Sequence, residues 1–123
     1  MRTSYLENDL IKLRREFHSQ PELNFDVTET SKKIESILRS ANIEVHNNIG
    51  RTGLVGVIKK GNSNRSIGIR ADMDALPVNE ANTFDYRSKH DGKMHACGHD
   101  GHVTMALGAA RHLAEKEEFD GTA

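Results

Sequence analysis

The densest chemistry in the chain lies in the stretch Met94-His95-Ala96-Cys97-Gly98-His99-Asp100-Gly101-His102. Five potential metal ligands or proton carriers fall within these nine residues, and Cys97 is the only cysteine in the chain. On an extended backbone His95, Cys97 and His99 share one face, while Ala96 and Gly98 fall on the other. Thiolate sulfur and imidazole nitrogen are ordinary ligands for a zinc-type ion. Gly98 and Gly101 allow backbone angles that other residues resist, so the loop can fold tightly around such an ion. Asp100 can cap the helix expected to follow, or orient a histidine through its second ring nitrogen. His102 falls in the first turn of that helix.

Blander readings compete with this one. A lone cysteine is most often a small buried hydrophobe, and a single histidine near a helix start is usually a surface or hydrogen-bonded residue. A closed structural zinc site takes four protein ligands, often as cysteine pairs, which a single cysteine disfavours. Nucleophilic catalysis is weaker still, because Cys97 and His99 are too near in sequence for a productive pair and no oxyanion donors are identified. A redox-sensing Cys97 is a third alternative.

A second cluster is Arg70-Ala71-Asp72-Met73-Asp74-Ala75-Leu76-Pro77. A strand ending in Asp-x-Asp puts both carboxylates on one face at the strand's end, where α/β sheets commonly build sites. The competing reading makes them turn and cap aspartates ahead of Pro77. Beside a Cys/His loop, such a pair could hold a metal-bound histidine or share the ion's charge.

The elements that must position these clusters can be read from the apolar spacing. Leu6, Leu10, Leu13 and Phe17 recur at helical intervals over about residues 5–18, and Pro21 stops that helix. Asp26-x-x-Glu29 has the form of a capping box for a second helix, with Ile34, Ile37, Leu38 and Ala41 on its buried face and an end at 40–42. Alternation over 43–46 predicts a strand, 47–50 a turn, 53–58 a second strand and 66–71 a third. The link over 60–65 reads as a hairpin turn. Residues 79–93 form a polar segment of little periodicity. A last helix begins at 100–102, with Val103, Ala106, Leu107, Ala110, Leu113 and Ala114 on its apolar face, and 119–123 resembles a turn into a strand. This order predicts an α/β layered arrangement in which helices cover a mixed sheet.

Bulk properties narrow the function classes. The chain has 123 residues, the size of one domain, with 36% hydrophobic and 5% aromatic residues, lean values for a self-sufficient globule. Seventeen basic residues against 18 acidic give a net charge of −1, which offers no electrostatic reason to expect nucleic acid or an anionic membrane as partner. No stretch approaches the roughly 18 consecutive apolar residues of a membrane span. The N-terminus lacks the apolar core of a signal peptide, so the cytoplasm is the expected compartment.

Three separated stretches, in order, resemble a known family. They are LRREFHSQPELNFDVTETSKKI, IRADMDALPVNE and GKMHACGHDGHVTMALGAA, the first carrying Arg15, His18, Pro21, Glu22 and Leu23 at the family's opening spacing. Together they look like the N-acyl-amino-acid amidohydrolase and hippurate hydrolase branch of the aminoacylase and carboxypeptidase metallopeptidases. The resemblance runs over nearly the whole chain.

The resemblance implies a layered α/β/α zinc-exopeptidase-like catalytic domain, of which residues 1–123 form the N-terminal portion. The remainder of that domain and a lid-like dimerisation domain are expected beyond it, so the parent is expected to be a homo-oligomer. By the same resemblance Cys97 and His99 are metal ligands, the thiolate bridging two divalent ions, zinc or manganese with cobalt or nickel as alternatives. Asp74 is the catalytic-site carboxylate that orients a ligand. Asp72 stands where related peptidases carry a metal-ligating histidine, and the resemblance gives it no ligand role. His18, His95, Asp100 and His102 belong to the pattern without an assigned contact to the ions.

The implied chemistry is hydrolysis of the amide of a small N-acyl amino acid, with a glutamate as general base. In the family that glutamate comes later, from a Glu-Glu pair. Glu117-Glu118 lies on the polar end of a helix and reads as solvated. The chain alone is therefore expected to be inactive and to expose strand edges. The alternative is a non-catalytic, stand-alone α/β module that binds metal or a protein partner.

Overall fold

The computed structural model describes residues 4–123, with side chains from Leu6 onward. Helix α1 spans Ser4–Ser19, α2 Thr28–Ser40 and α3 His99–Glu115. The strands are β1 Glu44–Ile49, β2 Gly53–Val57, β3 Lys59–Lys60 and β4 Gly121–Thr122.

The apolar stripe of α1 does what its spacing predicts. Phe17 is buried and Leu13 packs against the core, together with Ile34 and Leu38 of α2, Val45 of β1, and Val103 and Leu107 of α3. Helices α1 and α3 approach closely because α3 carries Gly108 at the crossing. A Cβ there would sit 3.0 Å from a Leu10 methyl. A glycine inside a helix costs about 1 kcal/mol relative to alanine, and this close packing offsets that cost.

The start of α2 departs from the expected capping box. Val27, not Asp26, is the N-cap, and it makes no side-chain capping bond. Glu22 caps the helix from the preceding turn: its carboxylate accepts from the Thr30 N–H (2.6 Å), the Thr30 hydroxyl (2.6 Å) and the Glu29 N–H (3.3 Å). Asp26 is instead held by its backbone, its N–H donating to the Leu23 carbonyl at 2.9 Å, which leaves its side chain exposed.

β1 and β2 form an antiparallel hairpin whose register slips between His46 and Ile49. Asn48 occupies the left-handed region at φ 57, so the strand kinks there and continues to Ile49. The chain reverses at Gly50 and Arg51 (φ 56 and 83), later than the expected 47–50.

The third expected strand and its hairpin are corrected by β4. Gly121–Thr122 pairs antiparallel with β3 and bridges Ser66 in parallel on its other side. The Ile67 N–H donates to the Thr122 carbonyl, and Ile58 and Ala123 exchange two backbone bonds, all at 2.9 Å. Residues 60–65 thus do not close a hairpin, because β4 lies between its two arms. Beyond Ile67 the segment to Ala71 runs without strand partners among the described residues. An apolar groove of about 370 Å³ opens between it and β2, lined by Val55, Val57, Ile67, Ile69 and Leu107 among others. Val55, Ile67 and Ile69 are exposed there. The architecture is α/β, but in place of one mixed sheet the strands form two two-stranded antiparallel sheets, β1–β2 and β3–β4, and no helix among the described residues is long and apolar enough to cross a membrane.

Candidate metal centre

The two chemical clusters are joined by the backbone. Leu76 and Met94 form an antiparallel bridge, exchanging N–H···O bonds of 2.9 and 3.0 Å. One residue earlier, the N–H of buried Ala75 donates to the Glu22 carbonyl at 2.7 Å. Asp74 and His95 are thereby fixed at the same end of one bridge, on its two opposing segments. Gly98 turns the loop into α3 with φ 88, a left-handed conformation that glycine adopts without a Cβ penalty. Its carbonyl accepts the His102 N–H at 3.0 Å, and His99 opens the helix.

His99 is held by a single neighbour. Its Nδ1 lies 2.8 Å from the Asp74 carbonyl oxygen and 3.1 Å from Asp74 Oδ1. Carbonyl and carboxylate oxygens only accept, so Nδ1 carries a hydrogen, and in the neutral ring Nε2 is the nitrogen that holds the lone pair. A carboxylate that fixes the tautomer of a histidine in this way is the usual support of a metal-ligating imidazole.

Among the described residues, one group of side chains could hold an ion: Asp72, His99 and His102, with one ligand atom from each within 4.8 Å of the others. His99 and His102 stand three residues apart on one helix face, their ring centroids 5.5 Å apart. Asp72 Oδ2 lies 3.9 Å from His99 Nε2, and Asp72 Oδ1 pairs with Arg70 at 2.6 Å. Cys97 is exposed and is not in this group. The geometry therefore brings His99 to Asp74, Asp72 and His102, and leaves the thiol outside that cluster.

Behind α3 lies a buried polar network. Asp100, 1% exposed, accepts from Arg14 Nε at 2.9 Å and from His18 Nδ1 at 2.8 Å. The other nitrogen of His18 bonds Glu80 Oε2 at 2.8 Å, so only the doubly protonated ring donates on both sides. Burial pushes the Glu80 carboxyl up, but hydrogen bonds from His18, the Asn82 amide and the Ser88 N–H outweigh it and hold the group below its usual range. Phe84 and Tyr86 stack at 3.9 Å beside the His18 ring, and Arg15 lies over Tyr86 at 4.7 Å. The polar segment 79–93 is thereby strapped to α1. His95 is also buried, with both ring nitrogens lacking a protein partner. Burial lowers its pKa, against the raising effect of the Asp100 charge.

Residues 68–123, which contain both clusters, match the model of peptidase family M20/M25/M40. The chain is 49% identical to a hippurate hydrolase of Campylobacter jejuni over 94% of its own length and 30% of that protein's. It is also 46% identical to an IAA-amino acid hydrolase of Arabidopsis thaliana, over 92% of this chain and 26% of the relative. A crystal structure of a Bacillus subtilis protein, described as a dinuclear metal-binding peptidase from the M20 family, superposes with a TM-score of 0.91 at 40% identity. The match covers 97% of this chain and 34% of the other. The chain resembles the M20 peptidase family.

The chain spans about 30% of the length of the hippurate hydrolase it matches. Its relatives are named as hydrolases, and its structural neighbour as a binder of two metal ions. The buried network adds Arg14 and Glu80, which lie in the stretches LRREFHSQPELNFDVTETSKKI and IRADMDALPVNE without being singled out there, and gives His18 the contacts that its place in the family pattern leaves open. Arg14 and His18 stand four residues apart and so share a helix face, a faint signal; Glu80 closes the stretch IRADMDALPVNE but falls where no periodicity points to a partner.

Proposed function

We propose that residues 1–123 form the N-terminal part of the catalytic domain of a metal-dependent amidohydrolase, which cleaves the amide bond of small N-acyl amino acids such as hippurate or N-acetyl amino acids. The observation that carries this reading is the 49% identity to a hippurate hydrolase across 94% of the chain.

In this reading Cys97 and His99 are metal ligands and Asp74 positions His99. The donor chemistry fits: with Asp74 accepting the Nδ1 hydrogen, the neutral His99 ring offers Nε2 to an ion, and Cys97 is accessible. Divalent ions, zinc or manganese, bound there would polarise the scissile carbonyl and lower the pKa of a bound water. The chain's own contribution is orientation. Asp74 fixes one imidazole tautomer, the Leu76–Met94 bridge sets the distance between the two motifs, and the Asp100–His18–Glu80 network anchors the first turn of α3. The general base and the remaining ligands belong to the longer protein, whose oligomerisation would use a further domain.

The test is release of free amino acid from hippurate and N-acetyl amino acids by the whole protein, with Mn²⁺ or Zn²⁺ supplied. Turnover that disappears in Asp74→Ala and on chelation is expected. A full-length protein that releases no amino acid from either substrate class would overturn the reading. The 123-residue chain alone is expected to show no turnover.

A further inference from the structure

We propose that the apolar groove between β2 and residues 67–71 is a slot one strand wide, filled in the longer protein by the residues that directly follow Ala123. They extend β4, antiparallel to β2 and parallel to 67–71, and join the two small sheets into one. The inference rests on the reading above only in taking residues 1–123 as part of a longer chain; it needs neither metal nor amide hydrolysis.

The bonds already made set the register. Gly121 pairs with Lys60 and Thr122 with Lys59, and Ile58 and Ala123 exchange both backbone bonds at 2.9 Å. Each further residue pairs one position earlier in β2, so the second and fourth residues after Ala123 fall opposite Gly56 and Leu54. On its other side Thr122 donates to the Arg65 carbonyl and accepts from the Ile67 N–H, both at 2.9 Å. In such a parallel ladder alternate residues turn both backbone groups toward the same neighbour. The Ile67 carbonyl, both groups of Ile69 and the Ala71 N–H therefore point into the groove, and none has a backbone partner among the described residues. Neighbouring strands lie about 4.8 Å apart, so the two arms that flank β4 stand about 9.6 Å apart. That is too far for them to pair with each other and leaves the width of one strand.

The side chains agree with the backbone. The groove is floored by Ile34 and Leu38 of α2 and by Leu107 and Ala110 of α3. Leu54 and Ile58 pack against the core on that side, and a Cβ on Gly56 would stand 3.2 Å from the Leu38 and Ile43 side chains. Residues opposite each other in antiparallel strands share a face. The second and fourth residues after Ala123 thus lie over α2 and α3 and should be apolar. Filling the slot also gives the segment that leads into Asp72 and Asp74 the ladder it lacks here.

The test is amide hydrogen exchange, resolved to single residues, in the 123-residue chain at low concentration and in the longer protein. Val55 and Val57, which β1 already pairs, serve as internal references and separate an open slot from a general loss of structure. The proposal expects the Leu54, Gly56, Ile69 and Ala71 amides to exchange about a hundredfold more slowly in the longer protein, relative to those references. Equal relative exchange in the two chains, fast or slow, overturns it. Protection that appears in the longer protein only as its concentration rises puts a second copy in the slot and also overturns it, as does a charged residue at the second or fourth position after Ala123. Turnover of N-acyl amino acids is not read, so this inference can fail while the hydrolase reading stands, and the reverse.

Discussion

The buried network behind α3 makes a quantitative prediction about stability. His18 is 2% exposed and stands between two carboxylates that are themselves 1% and 3% exposed, Asp100 and Glu80. Replacing His18 with alanine leaves Asp100 with Arg14 but strips Glu80 of its charged donor; only the Asn82 amide (2.9 Å) and the Ser88 N–H (2.6 Å) remain to it. Breaking a buried pair by removing one partner costs about 3–5 kcal/mol, against a total stability of about 5–15 kcal/mol for a domain. The loss therefore exceeds the few tenths typical of a surface change. Most of it should come from the uncompensated Glu80 charge rather than from the vacated volume. Glu80→Gln introduced into the His18→Ala chain should then restore about 1–3 kcal/mol, because it removes that charge while its one amide oxygen can still accept from the Ser88 N–H. The assay is urea unfolding of the four chains of the double-mutant cycle, read from midpoints at constant m. A coupling energy above about 1 kcal/mol between His18 and Glu80 is expected; additivity within about 0.5 kcal/mol would show that the pair is not energetically joined and refute the reasoning.

The same carboxylate sets an acid limb. Glu80 is held below its usual range when folded, so its contribution is present above the unfolded value of about 4.3 and is lost as pH falls through the folded value. Glu80→Gln should flatten the stability–pH curve at the acid end, and an unchanged acid limb in denaturant titrations would count against it. At α2, Glu22→Ala removes three hydrogen bonds and should cost about 1–2 kcal/mol, whereas Asp26→Ala should stay within about 0.5 kcal/mol; the reverse order in thermal unfolding would restore the local capping box. The groove beside Ile67 and Ile69, 67% and 58% exposed, should bind an apolar dye and drive concentration-dependent association. Ile69→Lys should reduce both in sedimentation velocity and fluorescence, and equal behaviour of the two chains would place the sticky surface elsewhere.

The legibility of each element in the sequence depends on the range of the interactions that set it. The three helices and the β1–β2 hairpin were legible because each is set by periodicity within its own span: Phe17 and Leu13 on one stripe, Val103 and Leu107 on another. Distant partners overrode the local signals elsewhere. Asp26 reads as a cap, but Glu22 reaches the Thr30 amide first, and a capping box cannot compete with a carboxylate already seated on the helix end. Residues 60–65 read as a hairpin until β4 enters between the arms. No short window of the sequence contains both Lys59 and Thr122.

The site divides along the same line. Its residue types stand in plain view, and the interval from Asp74 to His99 is recoverable only once Leu76 meets Met94. Composition alone therefore made Cys97 the most conspicuous candidate, while geometry moves the weight toward His99. Cys97 stands out for being unique. His99 stands out because a fixed tautomer, a facing carboxylate and a helical neighbour converge on one nitrogen. Convergence of that kind has an energetic consequence which uniqueness lacks, since each of the three restrains where an ion could sit. Asp74→Asn should accordingly weaken Zn²⁺ through His99 even though Asp74 is assigned no bond to the ion. Loss of a supporting carboxylate of this type costs about 10–100-fold in metal affinity. An affinity in Asp74→Asn within twofold of the unmodified chain would mean that the His99 ring is held by its helix alone.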